Sequence, residues 1–110
     1  MGSIHLSLTK VDDGRTVPLH VGASFSLALE ESPTTGYRWQ LRVDDPAGVA
    51  VGADEFIPGV VSIGGSGTRV WALQAMACGA CTVRAELRRA WQSSAQPEAS
   101  VTLCVEISAR

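Results

Sequence analysis

With 110 residues the chain has room for one domain, because two would each be too small to bury a core unaided. A hydrophobic fraction of 45% against 18% charged residues excludes a disordered chain, and a formal net charge of -2 gives no electrostatic reason to expect nucleic acid. Three cysteines, Cys78, Cys81 and Cys104, are an odd number and argue against a complete disulfide framework.

No apolar run approaches the length of a membrane-spanning helix, so no membrane partner is expected. The start, Met1-Gly2-Ser3-Ile4-His5-Leu6, lacks the apolar stretch of a secretion signal. A leader removed by processing would place the protein in the periplasm or outside the cell, so the compartment stays open.

In chain order, apolar and polar residues alternate over short runs, the pattern of half-buried strands. Ile4, Leu6 and Leu8 form the first run, and Asp12-Asp13-Gly14 turns the chain. Val17, Leu19 and Val21 form the second, with Pro18 pointing to an edge. Phe25, Leu27 and Leu29 precede a loop at 31–36. Tyr37, Trp39 and Leu41 precede another at 44–48. A strand is expected around 55–61, bent at Pro58-Gly59, followed by a glycine-rich loop at 62–68. Trp71, Leu73 and Ala75 lead to a turn at Cys78-Gly79-Ala80. Cys81, Val83, Ala85 and Leu87 lead to a polar loop at 89–98, and Val101, Leu103, Val105 and Ile107 close the chain. No segment keeps a helical period. Seven or eight short strands in this length predict an all-β, immunoglobulin-like antiparallel β-sandwich. Its expected core is Phe25, Leu27, Trp39, Leu41, Leu73, Val83, Leu87, Leu103 and Val105.

If each strand reverses its predecessor, the loops at 31–36, 62–68 and 89–98 lie at one end. In immunoglobulin lettering they are the B–C, D–E and F–G loops. The parity holds only if Val49 to Val51 is not an extra strand. Taken singly, each loop has an ordinary explanation. Ser32-Pro33-Thr34-Thr35-Gly36 reads as a turn. Ile63-Gly64-Gly65-Ser66-Gly67 reads as a flexible hairpin tip, or as backbone left bare for a partner's close approach. Trp91, after Arg89, either folds back over the sandwich end or serves as an interface anchor.

Other chemistry is weakly supported. His5 and His20 have no nucleophile partner in a catalytic constellation, so no enzyme is expected. Cys78-Gly79-Ala80-Cys81 has redox or half-zinc spacing, but a strand follows where a redox motif opens a helix, and a zinc site needs further ligands, for which Cys104 plus a distant His is weak support. No metal or cofactor is expected.

Together, Pro33-Thr34-Thr35-Gly36-Tyr37, the glycine-rich loop and Arg89-Ala90-Trp91 resemble the three motifs of the chagasin family of cysteine-protease inhibitors. That family carries Asn-Pro-Thr-Thr-Gly-Phe/Tyr, a Gly-x-Gly-Gly-like stretch and Arg-Pro-Trp, in this order on these connections. Ser32 stands in place of the Asn and Ala90 in place of the Pro. The resemblance spans nearly the whole chain, 1–110, as a single inhibitor domain. It implies a monomeric, reversible, competitive inhibitor of papain-like, cathepsin L-type cysteine proteases. The contact residues it implies are Ser32, Pro33, Thr34, Thr35, Gly36, Tyr37, Ile63, Gly64, Gly65, Ser66, Gly67, Arg89 and Trp91. Thr34 and Thr35 would cover the catalytic Cys and His, the D–E loop would follow the non-primed groove, and Trp91 with Arg89 would meet the primed side. The competing reading is an immunoglobulin-like adhesion or assembly module with a non-protease partner.

Overall fold

The computed structural model describes residues 6–32, 36–59, 67–89 and 96–109. Eight strands follow in order: β1 (Leu6–Leu8), β2 (Thr16–His20), β3 (Ser24–Glu31), β4 (Tyr37–Val43), β5 (Val49–Pro58), β6 (Gly67–Ala75), β7 (Gly79–Arg89) and β8 (Ala99–Ser108). One 3-10 turn, Lys10–Asp12, links β1 to β2. Among the described residues no helix is long and apolar enough to cross a membrane.

The strands form two four-stranded sheets, ordered β1-β3-β6-β5 and β2-β8-β7-β4. The six long strands pair antiparallel within their sheets. The two short N-terminal strands pair in parallel instead, β1 with β3 and β2 with β8. The N-terminal segment thus divides between the sheets, and β2 with Pro18 takes an edge, where a missing N–H is tolerated.

Each sheet buries one side of its alternation. Phe25, Leu27, Leu29, Trp71, Leu73 and Ala75 of one sheet face Trp39, Cys81, Val83, Ala85, Val101, Leu103, Val105 and Ile107 of the other. Of the expected core, Leu41 and Leu87 are only partly buried, packed against its margin. Leu41 lies on β4, an edge strand, and Leu87 lies near the end of β7.

The strand expected at 55–61 instead runs from Val49 to Pro58. Val49–Val51 is its first part, not an extra strand, so the parity argument survives. A register shift between Val51 and Asp54 explains why the alternation was hard to read, since a bulge moves the following side chains out of phase. Glu31, Gly67, Thr68 and Arg89, read as loop residues, belong to β3, β6, β6 and β7.

Candidate interaction site

The strand ends flanking the three loops meet at one end of the sandwich. Glu31 ends β3 opposite Gly67 of β6, and Pro58 ends β5 opposite the same Gly67. In the other sheet Tyr37 begins β4 opposite Arg89, the end of β7, and Leu87 lies opposite Ala99, the start of β8. The β3–β4, β5–β6 and β7–β8 connections therefore all leave from this end, as strand parity predicts.

The end is closed by charge. Glu31 continues the inward phase of Phe25, Leu27 and Leu29, and its side chain has no solvent exposure. Buried ionised carboxylates require partners for their lone pairs. Glu31 Oε1 accepts from Arg69 Nε and Nη2 at 3.1 and 2.8 Å, and Oε2 accepts from the Trp39 backbone N–H at 2.8 Å. The Trp39 indole N–H donates to the Glu30 carbonyl at 2.8 Å. Arg69 Nη1 reaches Asp54 Oδ2 of β5 at 2.7 Å, and its guanidinium lies 5.5 Å from the centre of the Phe56 ring. Hydrogen bonding to Glu31 holds the Arg69 pKa above its ordinary value, so the guanidinium stays charged.

Glycine is required at two places here. Gly36 has φ of +83°, a conformation L side chains rarely adopt, and it returns the chain into β4. Gly67 is buried. A Cβ there would meet the Ile57 carbonyl and Phe56 Cζ, with Pro58 Cα at 3.0 Å. Its glycine therefore lets β5 close over β6, a packing reason that the loop reading did not foresee.

Of the candidate contact residues, Ser32, Gly36, Tyr37, Gly67 and Arg89 are placed, all at this end. Tyr37 and Arg89 are cross-strand neighbours with the guanidinium over the ring. Pro33, Thr34, Thr35, Ile63, Gly64, Gly65, Ser66 and Trp91 lie outside the described residues. Glu31 and Arg69 were missed by sequence reasoning. Their signal was available: each is a charged residue on the core phase of its strand, with opposite sign, at the same end.

The thiols serve a different setting. Cys81 is buried in β7 and its thiol donates weakly to the Asp45 carbonyl at 3.6 Å. Burial pushes its pKa up to about 11, the reverse of an activated thiol. Cys78 is exposed and Cys104 is half-buried. Among the described residues no group of three or more His, Cys, Asp or Glu could hold a metal ion.

This architecture has known counterparts. The cysteine protease inhibitor EhICP2 from Entamoeba histolytica superposes with a TM-score of 0.84 at 21% identity, covering 94% of this chain and 95% of that one. Amebosin gives 0.79 at 23% identity, covering 96% and 100%. PbICP-C, solved in complex with falcipain-2, gives 0.56 at 14% identity, covering 98% and 91%. At these identities the likeness is one of fold. Comparison with the curated proteins gives no match. The profile described as "Chagasin family peptidase inhibitor I42" matches residues 18–105, which include five of the six long strands whole, most of β8, and all three connections at the ion-paired end. The chain belongs to the chagasin family of peptidase inhibitors.

Proposed function

We propose that this chain inhibits papain-like cysteine proteases reversibly and competitively, by inserting its β3–β4, β5–β6 and β7–β8 loops into the active-site cleft. The observation that carries the reading is the convergence of the strand ends flanking all three motif-bearing loops on one end of a rigid sandwich. Family membership makes the chain an inhibitor and not an enzyme. It also disfavours the adhesion-module reading, which accounts for the fold but not for the three motifs.

Each loop takes a separate role, carried over from the family resemblance. Thr34 and Thr35 cover the catalytic Cys and His of the protease. A threonine hydroxyl offers the protease thiolate no carbonyl carbon to attack, so covering the catalytic Cys with these side chains forms no acyl-enzyme. The backbone of Ile63, Gly64, Gly65 and Ser66 lines the non-primed groove, where the two glycines permit close approach. Trp91 packs on the primed side with Arg89 beside it, as aromatic and arginine anchors do at interface centres. Gly36 and Gly67 act beneath the contact surface by shaping the loop bases.

A rigid scaffold reduces the ordering cost of binding, so an interface of standard size, about 1,600 Å², can be tight. The test is titration of papain and a cathepsin L-type enzyme at several substrate concentrations. Competitive inhibition that reverses fully on dilution is expected. Loss of neither activity at micromolar protein would refute the proposal.

A further inference from the structure

We infer that the Glu31–Arg69 ion pair is the positioning device that fixes the β3–β4 and β5–β6 loops relative to each other, and that inhibition depends on it beyond its share in stability. The inference rests on the inhibitory reading above. Four strand ends carry the two loops, and the pair touches all four strands. Glu31 is the last residue of β3. Its second oxygen holds the Trp39 N–H of β4. Arg69 lies in β6, opposite Phe56 of β5 and Leu29 of β3. Its remaining arm reaches Asp54 of β5.

The arrangement also bridges the sheets. β4 is an edge strand, and an edge strand leaves part of its N–H groups without a ladder partner. The Trp39 N–H is held by the opposite sheet's carboxylate, and the Trp39 indole by the Glu30 carbonyl. Both bases of the β3–β4 loop are thereby tied across the core. A buried ion pair is weak evidence for stability, because apolar residues of similar volume often replace one without loss. What such residues cannot supply is direction: two forked donors to one oxygen, a third to Asp54, and a backbone N–H to the other oxygen. Neither Glu31 nor Arg69 needs to touch the protease.

The decisive variant is therefore the double substitution Glu31→Leu with Arg69→Met, compared with Glu31→Gln, Arg69→Lys and a control, Val105→Ala. Val105 is buried toward the opposite end, paired with Cys81 and Val17. Inhibition constants against papain are measured well below each melting temperature, with association and dissociation rates read separately. We expect the double variant to remain folded and to inhibit at least tenfold less strongly, with slower association because the loops must be ordered on binding. Val105→Ala should lose stability and keep its inhibition constant. Wild-type inhibition retained by the folded double variant would overturn the inference while leaving the inhibitory reading intact. Should the double variant not fold, the same tenfold weakening in folded Glu31→Gln or Arg69→Lys supports the inference, and unchanged constants in both overturn it. A wild-type protein that inhibits no papain-like enzyme would overturn both readings.

Discussion

The guanidinium of Arg89 lies over the ring of Tyr37, 4.7 Å from its centre, and so joins the last residue of β7 to the first residue of β4. The two are direct cross-strand partners, which places the bases of two motif loops in contact. A cation over an aromatic face is worth about 0.5–1 kcal/mol when exposed and about 2 when desolvated. Replacing Tyr37 by Leu should weaken inhibition between about twofold and thirtyfold by that range. Tyr37→Phe keeps the ring and should stay within about twofold of wild type. Inhibition constants for the two variants check this; equal losses would point to the hydroxyl instead of the ring face.

Gly67→Ala should damage the fold before it damages recognition. The new Cβ would run into the Ile57 carbonyl and the Phe56 ring, so β5 must lift from β6. Overpacking of this kind costs about 1–3 kcal/mol. Thermal unfolding should show a fall of roughly 4–8 °C for each kcal/mol. A melting temperature equal to wild type would mean that the β5–β6 hairpin end is looser than its packing indicates.

The strand pattern was legible where alternation ran unbroken. Phe25 to Leu29, Trp71 to Ala75 and Val101 to Ile107 each show period two, and each is buried on that phase. Alternation failed in β5, because the register shift after Val51 puts Asp54 rather than Ala53 beside the inward-facing Trp71. It was also silent on partners: nothing local in Leu6–Leu8 or Thr16–His20 tells a parallel neighbour from an antiparallel one. The convergence of the loops was readable from parity alone. The pair that braces them was harder to find, because Glu31 and Arg69 are 38 positions apart and only their shared place on the core phase of their strands links them.

The thiols should separate cleanly in reactivity. At pH 8 a thiol reagent should modify exposed Cys78 first and leave Cys81 protected until the chain unfolds, because its pKa is pushed up to about 11. The raised value also sets a sign. Between the ordinary value of 9.0 and about 11, the unfolded chain gives up a proton that the folded chain keeps. The stability tied to Cys81 is thus fully present below pH 9 and is lost as pH rises toward 11. Wild type should lose stability across that window relative to Cys81→Ala, and modification of Cys78 should leave inhibition unchanged. Inhibition abolished by Cys78 labelling would contradict the loop mechanism.

Trp91→Ala should remove a large apolar anchor, a loss of about 2 kcal/mol and so roughly a thirtyfold weaker inhibition constant. Thr34→Arg should be at least as damaging, because it puts a bulky charge against the catalytic centre. Circular dichroism of both variants should match wild type, which separates a lost contact from a lost fold. Unchanged inhibition in both variants would remove the assigned loop roles.

The central claim is occupation of the protease cleft, and the most direct measurement is binding to papain whose catalytic cysteine carries a bulky covalent blocker filling that cleft. Unmodified papain should bind the protein at one-to-one stoichiometry and lose activity, while blocked papain should bind it at least a hundredfold more weakly. Equal affinity for the two forms would contradict the account, because it would place the contact surface away from the active site.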